Sequence, residues 1–295
     1  MFIACSDLHI HDKAPVNRIE KDWSAVCLDK LRQVLSKARV LKCKVRVAGD
    51  FFDKSSHSPA LVNGTLALLN EYGDVFVEIL PGNHDLKNHS QSLLPSSSIM
   101  TIGFLDNVTI VGSDWLSVTE ENYVVDFIPF GDELTHYGGD VAIIHEFVWN
   151  KEPWPGAPIS GNWKNIAKKM KGYKLIIIGD NHQPFIKTHK KCTLLNCGSM
   201  LRKNIDQQDH KPAFYVIGDD LSIETIPFKI SKDVFDTSAS DLVKKKNKAI
   251  QEVAEQMKEG ITFSLDFKKN LKEYFAKNKT EKSIREIIEG AMSDD

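Results

Sequence analysis

The sequence predicts an α/β fold: a two-sheet β-sandwich flanked by helices, with a small, mostly helical C-terminal appendage. Three observations predict it. Five short apolar runs each stop at Gly, Asp, Asn or His residues, two amphipathic stretches separate the first three runs, and further short β-like runs follow. Apolar runs of this length, bounded by Gly and polar residues, read as buried strands.

Phe2-Ile3-Ala4-Cys5 leads to Asp7-Leu8-His9, and Val45-Arg46-Val47-Ala48 leads to Gly49-Asp50-Phe51-Phe52-Asp53. Phe76-Val77-Glu78-Ile79-Leu80 leads to Gly82-Asn83-His84-Asp85. Val141–Ile144 ends at His145, and Leu175–Ile178 ends at Gly179-Asp180-Asn181-His182. Ligands of α/β sheets bind beyond the carboxyl ends of the strands, so the five clusters are expected to converge.

Between the first two runs, Trp23, Val26, Cys27, Leu31, Val34, Leu35 and Ala38 recur at three- and four-residue spacing, the pattern of an amphipathic helix. A second helix holding Leu61, Leu66, Leu68 and Leu69 is expected to start near Ser58-Pro59, a cap followed by proline. The β-α-β-α-β series implies right-handed crossovers and a largely parallel sheet. The runs near Val108–Val111, Tyr123–Phe130, Thr193–Leu195, Ala213–Ile217 and Ile223–Phe228 predict a second sheet packed on the first. A long loop, Phe147 to Gly161, carries Trp149, Trp154 and three prolines; loops this long are usually functional or disordered, and its aromatics favour function.

From about Ser231 the composition changes, so residues 1–230 are read as a catalytic domain and 231–295 as a charged, mostly helical module with 13 basic and 13 acidic residues. Leu242, Val243, Ile250, Val253, Ala254 and Met257 form a helical stripe. Ile261, Phe263, Leu265 and Phe267 alternate like a strand, and Ser283 with Glu286 resembles a capping box. Packing on the catalytic domain and docking of a partner are both open to this module.

A chain of 295 residues, 42% hydrophobic and 26% charged, is that of a globular protein with a large core. No apolar run is long enough for a membrane helix, and no secretion signal is expected at the start. Cys5, Cys27, Cys43, Cys192 and Cys197 have no zinc-type spacing; an odd count fits reduced thiols and a cytoplasmic location. Net charge is only −2, which excludes a generic polyanion binder. Locally, however, residues 161–203 carry ten Lys or Arg against one acid, Asp180. A phosphate backbone beside the last motif would account for this excess, as would a solvated helix face plus an exposed hairpin.

Hard divalent ions need carboxylates, imidazoles and amide oxygens on rigid elements. Asp-x-His, Gly-Asp-x-x-Asp and Gly-Asn-His-Asp, in that order and each at a strand end, supply them. In these motifs the chain resembles the calcineurin-like metallophosphoesterase superfamily over residues 1 to about 228. The resemblance implies that Asp7, His9, Asp50 and His182 hold one metal. Asp50, Asn83, His145 and position 180 would hold a second, with Asp50 bridging. His84 would be the general acid, with Asp85 orienting it. Paired metals can clamp a phosphate and activate water, so no protein base is required.

The family's last motif is usually Gly-His-x-His, whereas this chain has Asp180 at its first histidine. Asp180 either replaces that ligand or caps a turn. As a ligand it would bring the carboxylates to three and the centre near neutrality, favouring Mn²⁺ (with Mg²⁺ or Fe as alternatives) over Zn²⁺ and monoanionic diesters over monoesters. His11, His57, His89, His136, His189 and His210 lack strand-end placement and are expected at the surface, His57 and His89 nearest the cleft.

The text around Gly49–Asp53 and Ser58-Pro59 resembles double-strand-break repair nucleases of the SbcD type more than protein phosphatases. Asn196-Cys197-Gly198-Ser199-Met200-Leu201-Arg202 is similar to that branch's Pro-Gly-Ser segment with a following Arg, with Cys197 at the proline. The resemblance implies a Mn²⁺-dependent DNA exo/endonuclease, one subunit of a repair or recombination complex with a coiled-coil ATPase partner; a homodimer is the other assembly left open. Lys168, Lys169, Lys171, Arg202, Trp149 and Trp154 are the candidate DNA contacts. A phosphodiesterase for cyclic nucleotides or dinucleotides is the rival enzyme, and a non-enzymatic metal-holding scaffold is a third class.

Overall fold

The computed structural model describes residues 1–112, 116–154, 157–231 and 234–236, together with Phe275, Lys282, Arg285 and Glu286. The chain divides into two compact units, Met1–Phe235 and Asp236–Asp295. The first unit extends past the composition change because Val234 is buried and accepts the Ile19 N–H, while Arg18 and Arg202 lie over the Phe235 ring. In the second unit Phe275, Lys282, Arg285 and Glu286 are helical. The stripe 242–257, the alternating run 261–267 and Ser283 lie outside the described residues.

The first half alternates strand and helix: β1 (Phe2–Cys5), α1 (Trp23–Leu41), β2 (Lys44–Ala48), α2 (Pro59–Glu71) and β3 (Val77–Leu80). Asp22 caps α1 by accepting the Ala25 N–H, and Trp23, Cys27, Leu31, Val34, Leu35 and Ala38 make its buried stripe. Ser58 caps α2, with Pro59 as its first residue, where a missing N–H costs nothing. After a short α3 (Ile99–Ile102) come β4 (Val108–Ile110), β5 (Leu116–Thr119), β6 (Val124–Ile128) and β7 (Val141–His145). Then follow α4 (Trp163–Lys169), β8 (Leu175–Gly179), β9 (Phe185–His189), β10 (Cys192–Asn196), β11 (Ala213–Ile217) and β12 (Ile223–Pro227).

Two mixed six-stranded sheets result. The first has the order β12-β11-β1-β2-β3-β4, with β1 to β4 parallel, β11 antiparallel to β1, and β12 antiparallel to β11 at the edge. The second has the order β5-β6-β7-β8-β10-β9, with β6, β7, β8 and β10 parallel. The later β runs therefore do not all build the second sheet. β4, β11 and β12 complete the first, because a strand's partner is chosen by tertiary packing that its own residues do not encode.

One core lies between the first sheet and helices α1 and α2, and another between the second sheet and α4. A third, including Phe2, Ala4, Phe127, Ile143 and Ile177, lies between the sheets. Among the described residues no helix is long and apolar enough to cross a membrane. All five cysteines are free thiols, and Cys5, Cys27, Cys192 and Cys197 are buried.

Arg46 breaks the apolar pattern of β2. Its side chain is fully buried over the Phe2 ring, 4.5 Å from the centroid, and pairs with Glu78 at 2.6 Å and with Glu120. Removing one partner of a buried ion pair leaves the others uncompensated. Arg46→Ala should therefore destabilise the protein by about 3 kcal/mol in denaturant unfolding; a loss within about 0.5 kcal/mol, typical of an inert surface site, would show that the cluster is no anchor.

Candidate metal centre

The predicted clusters come from both sheets. Asp7 and His9 follow β1, Asp50 follows β2 and Asn83 to Asp85 follow β3, all in the first sheet. His145 ends β7, and Asp180 and His182 follow β8, in the second. The loops are stitched by backbone bonds: Asp7 N–H donates to Gly49 O and His9 N–H to Asp50 O, each at 3.0 Å. Asp180 N–H donates to Asp7 Oδ1 at 3.0 Å, joining the sheets. Asp7, His9, Asp50 and Asp180 have φ of 52°, 44°, 51° and 86°. Left-handed backbone costs a non-glycine residue roughly 1–3 kcal/mol, and here it aims side chains back over the strand ends.

Among the described residues His9, Asp53 and His84 form one group of possible donors, and two others gather the predicted ligands. In the first of these two, with Asp7, the Nε2 atoms of His9 and His182 face each other at 3.0 Å. In the second, with Asp7 and Asp50, His145 Nε2 stands 2.9 Å from Asn83 Oδ1 and 3.3 Å from Asp50 Oδ1. Asp50 links them: its Oδ2 is 3.6 Å from His9 Nε2 and, though buried, has no hydrogen-bond partner. Donors about 2.1 Å from one cation at right angles sit about 3 Å apart, so these spacings fit two divalent ions. Gly49 and Gly82 make room, since a Cβ at Gly49 would strike the His145 ring and one at Gly82 the Asp50 carboxylate.

The electrostatics agree with this fit. Burial raises the Asp7 carboxyl, and Asp50 adds to it, despite opposition from His145 and His9. Burial also acts on Asp50, but hydrogen-bonded His145, with His9 and His84, outweighs it and holds that carboxyl below its ordinary range. His145 is raised to about 10 because Asp50 and Asp7 overcome its burial. His182 is lowered to about 3 by burial and by His9, so it presents a neutral imidazole. His145 Nδ1–H donates to Ala48 O at 2.9 Å, leaving Nε2 to face the donors.

Two sequence expectations change here. Asp85 does not orient His84: its carboxylate accepts the N–H groups of Phe51, Phe52 and Gly82 at 2.8–3.0 Å. It locks the two ligand loops together, and burial with the nearby Asp50 charge pushes it to about 7. His84 is held instead by Asp53 O, to which its Nδ1–H donates at 2.9 Å, while its backbone N–H donates to Asp50 Oδ1 at 3.0 Å. The Asp180 carboxylate joins neither donor group, although it lies in the field of His145, Asp7 and Asp50.

The substrate candidates also divide. Trp154 is 50% exposed and stacks on Phe147, two residues beyond His145, with centroids 5.7 Å apart. Trp149 is half-buried and pinned, its indole donating to Pro158 O at 3.3 Å. Arg202 is spent on Gln208 O and Ser231 O. Lys168, Lys169 and Lys171 are exposed, but Lys171 precedes β8 whereas the ligands follow it. The basic stretch folds as a helix and a hairpin, so sequence neighbours lie at opposite ends of a strand. Only the charge of Lys169 reaches Glu146, next to His145.

Asp53 and Lys203 were not singled out as site residues. Asp53 Oδ1 is 3.1 Å from His9 Nδ1 and 2.6 Å from Lys203 Nζ, a carboxylate behind a ligand histidine; its place in Gly-Asp-x-x-Asp was the available signal. The 196–202 segment fastens the loops: Asn196 donates to Asn181 O and Gln183 O, Ser199 N–H to His182 O, and Met200 N–H to Asp7 O. His57 is not at the surface, its side chain being 1% exposed against Phe52 and His11. It forms a further donor group with His11 and Asp12, but its Nε2 accepts the Lys54 N–H at 3.3 Å. The proton then sits on the Nδ1 facing Asp12, which makes this group a polar brace.

The calcineurin-like phosphoesterase family model matches residues 1–222, and the chain belongs to that family. A solved structure described as a novel archaeal phosphodiesterase is 14% identical, with TM-score 0.43, covering 77% of this chain and 99% of the other. The protein TT1561 of Thermus thermophilus is 9% identical, with TM-score 0.46, covering 77% and 97%. No curated protein sequence matches this chain. The family implies divalent metals, and the donor groups fit them: Asp7, His9, Asp50 and His182 would hold one, Asp50, Asn83 and His145 the other. Such ions supply positive charge to a phosphate ester and acidify a bound water. The exposed His84 can carry a proton to a leaving oxygen.

Calorimetric titration of the metal-free protein with Mn²⁺ should give two equivalents, with net proton release at pH 7.5 because His145 must give up its proton. Asp180→Ala should also bind two; a drop to one would place that carboxylate among the ligands.

Proposed function

We propose that the chain is a Mn²⁺-dependent DNA exo/endonuclease subunit, acting in the cytoplasm in repair or recombination and hydrolysing phosphodiester bonds. A coiled-coil ATPase would be its partner, docked through residues 231–295. The observation that carries the reading is the Phe147–Trp154 stack, half exposed and begun two residues after His145 in the chain, an aromatic surface of the kind that takes a nucleobase. Base–aromatic stacking serves single strands of any sequence. The buried charges of Asp7 and Asp50, with Asp180 in their field, lower the net positive charge of a two-metal centre, which suits a monoanionic diester better than a dianionic monoester. The SbcD-type motifs around Gly49–Asp53 and Asn196–Arg202 support the same branch.

A second reading, a phosphodiesterase for cyclic nucleotides or dinucleotides, is favoured by one observation. Lys171 precedes β8, away from the ligands, so the metal cleft is less basic than the sequence suggests.

Purified protein with Mn²⁺ should degrade labelled DNA, with His84→Ser and Asp50→Asn each losing at least 100-fold. Activity should fall steeply between 50 and 200 mM salt as phosphate contacts release counterions (both concentrations approximate). Trp154→Ala should raise KM for single strands about tenfold or more, in line with roughly 1–3 kcal/mol per stacked base. Cleavage of a cyclic dinucleotide but not DNA, indifferent to salt, would select the second reading.

A further inference from the structure

A hollow of about 540 Å³ opens at the end of the second sheet opposite the metal centre. Its walls are the end of α4, the Lys171–Lys174 turn that leads into β8, and the β9–β10 hairpin turn at His189–Cys192. Strand direction fixes the separation. β8 and β10 are parallel, the hollow lies before their first residues, and Asp180 and His182 lie after the last residue of β8. Five residues of strand span about 13 Å, so the hollow is no part of the cradle.

Its rim is basic and its floor apolar. Lys168, Lys171, Lys174, Lys190 and Lys191 ring it, while its floor includes Ala167, Tyr173 and Cys192, all buried. Lys174 pairs with Asp140 at 2.8 Å. Among the described residues the other four have no carboxylate within ion-pair distance. The fold does not need them. Their side chains fill no core, their charges repel, and the whole chain carries a net charge of only −2. Lys190 also occupies a left-handed turn position, φ 56°, that glycine or asparagine would fill at lower cost. An ammonium ring over an apolar floor complements an anion with an apolar body, and the volume is that of a small-ligand pocket.

We propose that this hollow binds a nucleoside di- or triphosphate, its phosphates among the lysines and its base on the apolar floor. The site is separate from the metal centre and does not depend on the reading given to that centre. A concave hollow walled by three segments suits a compact ligand rather than a continuous strand, which would track a groove.

Calorimetry of the full chain with α,β-methylene-ADP, an uncleavable nucleoside diphosphate, tests this. One saturable equivalent is expected, at least tenfold tighter than pyrophosphate and unchanged in Asp50→Asn. Combining Lys171→Met, Lys190→Met and Lys191→Met should weaken it at least tenfold with the unfolding midpoint kept, and Lys191→Met alone should weaken it measurably. Several results would overturn the site: no saturable binding, pyrophosphate binding as tightly, wild-type affinity in both lysine variants, or a 20-residue oligothymidylate (length approximate) displacing the nucleotide at lower concentration.

Discussion

Two carboxylates, Asp7 and Asp50, are buried at the strand ends with almost no exposure, and no lysine or arginine pairs with either among the described residues. A buried charge that finds no partner is among the most expensive features a fold can carry. The surrounding architecture manages it. Asp7 accepts the Asp180 N–H, Asp50 accepts the His84 N–H, and His9 and His145 stand beside them. One Asp50 oxygen is still unpartnered. The protein supplies less positive charge than this pocket demands, and divalent cations are the chemistry that completes it.

The sheets divide this work. The first brings Asp7, His9, Asp50 and Asn83; the second brings His145 and His182. Neither group of donors is complete on one sheet, so the packing of the two sheets is itself part of the site. The 196–202 segment secures that junction, Ser199 and Met200 tying the His182 loop to Asp7, while Asp85 ties the β2 and β3 loops to each other within the first sheet. Left-handed backbone at four of the site residues stores strain that these ties hold in place. On this account, residues that touch neither metal nor substrate decide whether the ligands meet.

Much of this was legible in the chain. Strand-end motifs named the donors that gather here, because these buried strands are mostly apolar along their length and the donors stand at or just past their ends. The amphipathic stripe of α1 and the Ser58-Pro59 start of α2 were equally plain. Three things were not. β5 and β9 are exposed edge strands, and their residues lack an apolar face to announce them. Asp85 sits next to His84 in sequence but turns into the protein, since adjacent residues on a tight turn point apart. The lysines between 164 and 191 looked like one patch beside the metal motif, yet β8 carries the chain across the whole sheet between Lys174 and Asp180.

The most direct test of the cradle is anomalous diffraction from crystals grown with Mn²⁺. The account predicts two peaks that share Asp50, one ligated by Asp7, His9 and His182 and the other by Asn83 and His145. A single peak, or manganese bound away from these side chains, would contradict it.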